Sequence, residues 1–238
     1  MKVDILAIGA HPDDVELGCG GTLIEHIKAG KTVAIIDLTL GETGTRGTVE
    51  GRKQESITAA EIIGAIEREN LELPDGFIST EQSFKMRLIP YIRKYSPDIV
   101  IAPAIYDRHP DHGNAARLIE ESCFLSGLAK IETELDGIKQ NAWRPRLLLN
   151  YIQDRFITPD IVMDITNSMD EKMNAILAHK SQFYDPDSNE PDTYIASKAF
   201  LDNIPSRAKE HGRACGFEYG EAFTSKKWLG VKDLTILF

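Results

Sequence analysis

Cysteine is scarce in this chain: Cys19, Cys123 and Cys215 are widely separated and form no CxxC pair, which excludes a disulfide framework or a thiolate zinc knuckle and suits a reducing compartment. Long apolar runs are missing too, so no membrane span is expected. The opening residues Met1 to Gly9 carry an early acid and no leader-like stretch, and a cytoplasmic location is expected. Positive charge is not in excess. With 27 Lys and Arg against 37 Asp and Glu, the net charge of −10 argues against a general affinity for nucleic acid or anionic membrane, and any anionic ligand would need locally placed arginines. No internal repeat or low-complexity tract is visible, and 42% hydrophobic with 27% charged residues excludes long disorder, collagen-like sequence and coiled coil. A chain of 238 residues can bury a core without covalent staples, and we expect one domain over 1–238.

Hydrophobic patterning supplies the organisation. Val3 to Gly9 and Thr32 to Leu40 read as buried strands, with a helix over Gly20 to Ala29 between them. A glycine-rich stretch, Gly41 to Gly47, leads into a helix over Arg52 to Ile63 whose apolar face is expected at Ile57, Ala60, Ile62 and Ile63. A further helix over Glu81 to Tyr95 is stopped by Ser96-Pro97, followed by a strand at Ile99 to Ala102, a polar loop from Tyr106 to His112 and a helix over Gly113 to Leu128. Strands alternating with helices of this length predict an α/β fold, a Rossmann-like three-layer sandwich with a mostly parallel central sheet. In the second half, Leu147 to Ile152 and Ile161 to Ile165 are expected as strands, Met169 to His179 and Ile195 to Gly212 as helices, and Asp185 to Thr193 as a surface loop or lid.

In an open α/β sheet, ligands bind beyond the carboxyl ends of the strands. His11-Pro-Asp-Asp14 follows the first strand and His109-Pro-Asp-His112 follows the Ile99 strand, so both clusters should meet at one sheet edge. Two imidazoles and a carboxylate suit a divalent metal and leave a position open for water. His11, Asp14 and His112 are the expected ligands. Asp13 is then free to act as general base, and a protonated His109 would stabilise an oxyanion and protonate a leaving amine, with Asp111 placed to orient it. The ligand types accept zinc or ferrous iron. Arg46 and Arg52 follow the second strand and Arg108 precedes His109; of these, Arg52 and Arg108 are the expected contacts to a substrate carboxylate or sugar hydroxyl.

Other readings compete less well. Gly18-Cys-Gly-Gly21 opens a helix as a nucleotide-phosphate loop would, making the chain a Rossmann-like binding module, but GxGxxG fails at Leu23, and close helix-to-sheet packing explains the glycines better. An iron oxygenase triad would leave Asp13 and His109 without roles. Asp37 reads as structural, and His26, His179 and His211 as surface or packing residues.

Ala10-His-Pro-Asp-Asp14, Glu16-x-Gly-x-Gly-Gly21 and His109-Pro-Asp-His112 together resemble the LmbE-like, or PIG-L, family of zinc-dependent N-acetylglucosamine deacetylases, and the likeness extends through Gly41-Glu-x-Gly44, Arg52 and Glu55. That resemblance implies a metal held by His11, Asp14 and His112, with Asp13 as base. Asp37-Leu-Thr, Asp107 to His112, Ser181-Gln-Phe-Tyr-Asp-Pro186 and Gly220-Glu-Ala-Phe-Thr-Ser-Lys-Lys227 are similar to the bacillithiol-biosynthesis branch. The branch implies hydrolysis of N-acetylglucosaminyl malate to glucosaminyl malate and acetate, with His109 as oxyanion and acid histidine and Arg52 and Arg108 facing sugar or malate. It also implies a homo-oligomer, often a hexamer. Related deacetylases or amidases acting on chitobiose or a thiol conjugate remain open. Mycothiol-pathway relatives carry a tyrosine two positions before the equivalent of His109, where this chain has Asp107.

Overall fold

The structure, a computed structural model, describes residues 1–237. Its elements run β1 (Ile5–Gly9), α1 (Asp14–Lys28), β2 (Val33–Thr39), α2 (Val49–Ile63), β3 (Glu67–Leu73), α3 (Gln82–Tyr95), β4 (Ile99–Ala102) and α4 (Pro110–Ser126). A small hairpin of β5 (Glu134–Leu135) and β6 (Ile138–Lys139) precedes β7 (Leu147–Tyr151), β8 (Ile161–Asp164), α5 (Met169–Leu177), α6 (Lys198–Cys215) and β9 (Gly220–Thr224). Seven strands form one sheet in the order β3-β2-β1-β4-β7-β9-β8. The first five pair in parallel, and β9 is antiparallel to both its neighbours.

Period-two alternation along β1 sorts the core into two layers. Leu6 and Ile8 pack with Leu88, Ile92 and Tyr95 of α3 and with Leu118 and Ile119 of α4. Ile5 and Ala7 face the other way, against Val15, Cys19 and Leu23 of α1 and Ile63 of α2. The expected three-layer α/β architecture is therefore the one observed. Among the described residues no helix is long and apolar enough to cross a membrane.

Several elements differ from expectation for physical reasons. Helix α1 begins at Asp14 rather than Gly20, because its glycines are sites of close approach: a Cβ on Gly18 would lie 2.2 Å from the Tyr151 ring, and one on Gly21 would lie 2.9 Å from Ile165. Helix α2 buries Arg52, Ser56, Ala59, Ala60 and Ile63, leaving Ile57 and Ile62 exposed, so its inward face carries a guanidinium where apolar spacing suggested isoleucine. The polar loop expected through His112 ends at His109, which caps α4, and Pro110 takes the first-turn position where a missing N–H costs nothing. Strands β3, β5, β6 and β9 were not anticipated. In β3 only Leu71 and Leu73, at its end, join the apolar core; earlier in the strand Arg68 bonds both oxygens of Asp37 and also pairs with Glu16, so ion pairing replaces the apolar signal there. Asp37 is structural, as expected.

Candidate metal and catalytic site

Strands β1 and β4 are adjacent and parallel, so the turns after them emerge at the same edge. Asp13 sits at the α1 N-cap with φ 120°, a conformation that costs a non-glycine residue about 1–3 kcal/mol and that its surroundings must enforce. Arg52 does so: one guanidinium nitrogen donates to Gly41 O (2.9 Å), and another donates to Pro12 O (2.9 Å) and lies 3.5 Å from Asp13 Oδ2. Arg52 is thus buried and engaged with the protein itself, and it also lines the cavity over the site, as the expectation of a substrate contact requires. Its role is to hold the turn that presents Asp13. Burial pushes the Asp13 carboxyl up to about 6, with Arg52 opposing the shift and Asp14 adding to it.

Asp14 lies between the two expected imidazole ligands. Its Oδ2 is 3.3 Å from His11 Nδ1 and its Oδ1 is 3.2 Å from His112 Nε2, while Gln153 donates to Oδ1 at 2.7 Å. Each imidazole turns its other nitrogen to a further carboxylate. His112 Nδ1 meets Asp107 Oδ2 at 2.5 Å, and His11 Nε2 faces Asp75 Oδ1 at 3.0 Å and Asp111 Oδ2 at 3.5 Å. Carboxylates behind histidines fix ring orientation and raise ligand basicity, which is how metal-binding histidines are ordinarily supported. Asp107 is itself anchored by the Asp154 and Arg155 backbone N–H groups, and Asp75 by Thr43. Burial alone would lower His112, but Asp14 and Asp107 outweigh it and lift the imidazole to about 9.

Donor atoms of His11, His109 and His112 lie within 4.8 Å of one another, and so do those of His11, Asp75 and Asp111. Two imidazoles bridged by a carboxylate, each backed by another, fit a borderline divalent cation in their chemistry. Asp107, Asp75 and Gln153 were missed by sequence reasoning. Asp107 stands five residues before His112, a spacing that carries no signal until the loop folds back.

The structure revises two other roles. Asp111 accepts hydrogen bonds from Gly76 N (2.7 Å) and Ile78 N (3.2 Å) and points at His11, so its carboxylate does not orient His109. What contacts His109 is the Asp111 backbone N–H, which donates to Nδ1 at 3.3 Å because His109 is the cap of α4. Nδ1 as acceptor assigns the ring proton to Nε2. Burial, with His11 and His112 adding, holds His109 below the usual imidazole range, favouring the neutral form over the protonated form expected from sequence. Neutral His109 still has an Nε2–H to donate. His11 and His109 stand edge to face with centroids 4.6 Å apart.

A cavity of about 320 Å³ opens over these residues. Arg108, half-exposed on its rim, stacks over Tyr194 at 4.5 Å and lies 3.6 Å from Asp154. Arg46 is engaged elsewhere, donating to Ser181 O and Ser188 Oγ at 2.9 Å each, so it ties the glycine-rich loop to the segment after α5.

Comparison with known proteins adds an independent line. The sequence profile described as PIG-L: GlcNAc-PI de-N-acetylase matches residues 6–123, a span that contains both His/Asp clusters. The crystal structure of the conserved protein TT1542 from Thermus thermophilus superposes with a TM-score of 0.85 at 33% identity, covering 97% of this chain and 98% of that one. The diacetylchitobiose deacetylase of Thermococcus kodakarensis is 28% identical over 229 residues, 91% of this chain and 80% of the relative. The probable N-acetyl-alpha-D-glucosaminyl L-malate deacetylase 2 of Bacillus subtilis is 27% identical over 200 residues, 76% of this chain and 84% of the relative.

Proposed function

The chain belongs to the PIG-L family of deacetylases, and from that premise we propose that it is a metal-dependent N-deacetylase that hydrolyses the acetamido group of an N-acetylglucosamine-type sugar. The observation that carries this reading is the meeting of His11, Asp14 and His112 through the Asp14 carboxylate, with Asp13 held alongside in a strained turn. A zinc or ferrous ion held by those three residues would polarise the amide carbonyl and acidify a water. Asp13 accepts the proton as the water oxygen attacks the acetyl carbon. His109 donates its Nε2–H to the oxygen as negative charge develops there. When the C–N bond breaks, the nitrogen needs one proton, and the proton that Asp13 has taken is the one at hand; neutral His109 has none to release without becoming an anion. Asp13 therefore serves as base and then acid, while His109 serves as a hydrogen-bond donor.

For the substrate we favour N-acetylglucosaminyl malate, cleaved to glucosaminyl malate and acetate as in bacillithiol biosynthesis, over chitobiose or a thiol conjugate. Support comes from the branch-like phrases between Asp37 and Lys227 and from the Bacillus relative, although the chitobiose relative is matched over more of the chain. The test is free-amine release by metal-loaded protein from N-acetylglucosaminyl malate, N-acetylglucosamine and diacetylchitobiose, beside a chelated control. Chelator-sensitive turnover that favours the malate glycoside is expected. Turnover confined to the neutral sugars would move the substrate, and silence on all three would sink the deacetylase reading.

A further inference from the structure

Helix α6 builds one side of the same cavity with Phe200, Ile204, Arg207 and His211. Arg207 Nη2 lies 3.6 Å from Asp154 Oδ1, and Arg108 Nε lies 3.6 Å from Asp154 Oδ2. Both separations exceed hydrogen-bond length. Among the described residues, the side chain that bonds Asp154 at normal length is Tyr194, whose hydroxyl donates at 3.0 Å. Two guanidiniums, each with five donors, thus share one carboxylate and make no side-chain hydrogen bond of their own among the described residues.

The remaining charges around the cavity are already matched. Lys172 is bonded to Glu221, Asp13 faces Arg52, Arg46 lies 3.3 Å from Glu190, Asp75 faces His11, and Asp14 faces His112. Burial and the neighbouring Arg207 hold His211 below the usual imidazole range, so it adds no cation. On the α6 side of the cavity, Arg108 and Arg207 against Asp154 therefore leave one unmatched positive charge in a protein whose net charge is −10. A single excess guanidinium matches a carboxylate in charge better than a doubly charged phosphate, while its fork geometry suits either. Tyr194 and Phe200, with ring centroids 5.4 Å apart, flank it with apolar surface.

We propose that Arg207, acting with Arg108, is the specificity-determining residue of this site and selects N-acetyl sugars whose aglycone bears a carboxylate. The inference rests on the deacetylase reading above and deepens it. Arg207 has no sequence signal, since it lies in a helix far from both motifs and reaches the cavity only because α6 packs on β9 and β8.

The experiment compares two glycosides of N-acetylglucosamine that differ only in the aglycone, malate against methyl, in metal-loaded wild type, Arg207→Gln and Arg207→Lys. Wild type should prefer the malate glycoside, and Arg207→Gln should reduce that preference in kcat/KM by about tenfold or more, through KM, as loss of a charged hydrogen bond does. Arg207→Lys keeps the charge and should recover part of the preference. Titration calorimetry with both glycosides in an Asp13→Asn background, with and without Arg207→Gln, reads the same contact with turnover suppressed. If wild type turns over both glycosides and the malate preference in Arg207→Gln equals that of wild type, the inference is overturned and the deacetylase reading stands. If neither glycoside is turned over, the deacetylase reading falls; tighter binding of the malate glycoside that Arg207→Gln abolishes would still uphold the anion contact, and equal binding would remove it.

Discussion

His109 illustrates how one backbone contact decides a role. Its place as the α4 cap makes Nδ1 an acceptor and, with burial, keeps the ring neutral. Helix N-termini favour the uncharged imidazole by the same electrostatics that attract anions there. If His109 acts as donor rather than acid, an amide side chain should replace it in part: His109→Gln should retain roughly tenfold more kcat than His109→Ala, whose loss should be about 10²–10³-fold. Equal losses in the two variants would return the acid role to His109. Asp107 makes a different kind of test. Bonded to His112 Nδ1 and to two backbone N–H groups, it would position His112 as a proposed ligand without itself being one. Asp107→Ala should weaken metal binding by about 10–100-fold, measured by competition with a chromophoric chelator, whereas unchanged affinity would show that His112 needs no support. At this scale the motif residues were legible, because His and Asp next to Pro after a strand are unusual. Asp75, Asp107, Gln153 and Arg207 were not, since their meaning depends on loops and a helix folding back to the sheet edge.

Elements hold the site through buried charge as much as through apolar packing. Glu16 on α1, Asp37 on β2 and Arg68 on β3 form one network, with His179 3.3 Å from Glu16. Burial alone would raise Glu16, but Arg68 and His179 outweigh it and hold the carboxyl well below its usual range. A depressed folded-state pKa contributes stability that is fully present above the unfolded value of about 4.3 and is lost as pH falls below it. Asp37, although bonded by the same guanidinium, is pushed up by burial and contributes in the opposite sense. The Glu16 contribution should dominate, so denaturant unfolding followed from pH 6 to pH 3 should show a steeper loss of stability in wild type than in Glu16→Gln; parallel curves would contradict the assignment. Arg68→Met should cost about 3–5 kcal/mol at neutral pH by leaving buried carboxylates unpaired. The same network explains why β3 escaped sequence reading, since Glu67, Arg68, Glu69 and Asn70 offer no apolar alternation. Strand β9 was hidden for a related reason: Glu221 in its middle is buried, bonding Gly21 N, Thr22 N and Lys172. By contrast β1, β2 and β4 were readable as apolar runs because parallel central strands are buried on both faces.

Over the whole molecule, a parallel sheet delivers two distant His/Asp clusters to one edge, and α6 closes the cavity from a part of the chain that neither cluster foretells. The fold class followed from the alternation of strands and helices. The sheet order beyond β4 did not, because the antiparallel β9 inserts between β7 and β8 by packing rather than by pattern. The central claim is that a cation held by His11, Asp14 and His112 and a proton acceptor at Asp13 act together on an amide. Its most direct test is bound metal and acetate release measured on the same samples of wild type and Asp13→Asn, after chelation and after metal is restored. Wild type should lose and regain turnover with the metal, while Asp13→Asn should bind metal stoichiometrically and turn over at least about 10²-fold more slowly. Acetate release that persists in chelated wild type, or that Asp13→Asn sustains at the wild-type rate, would contradict the account.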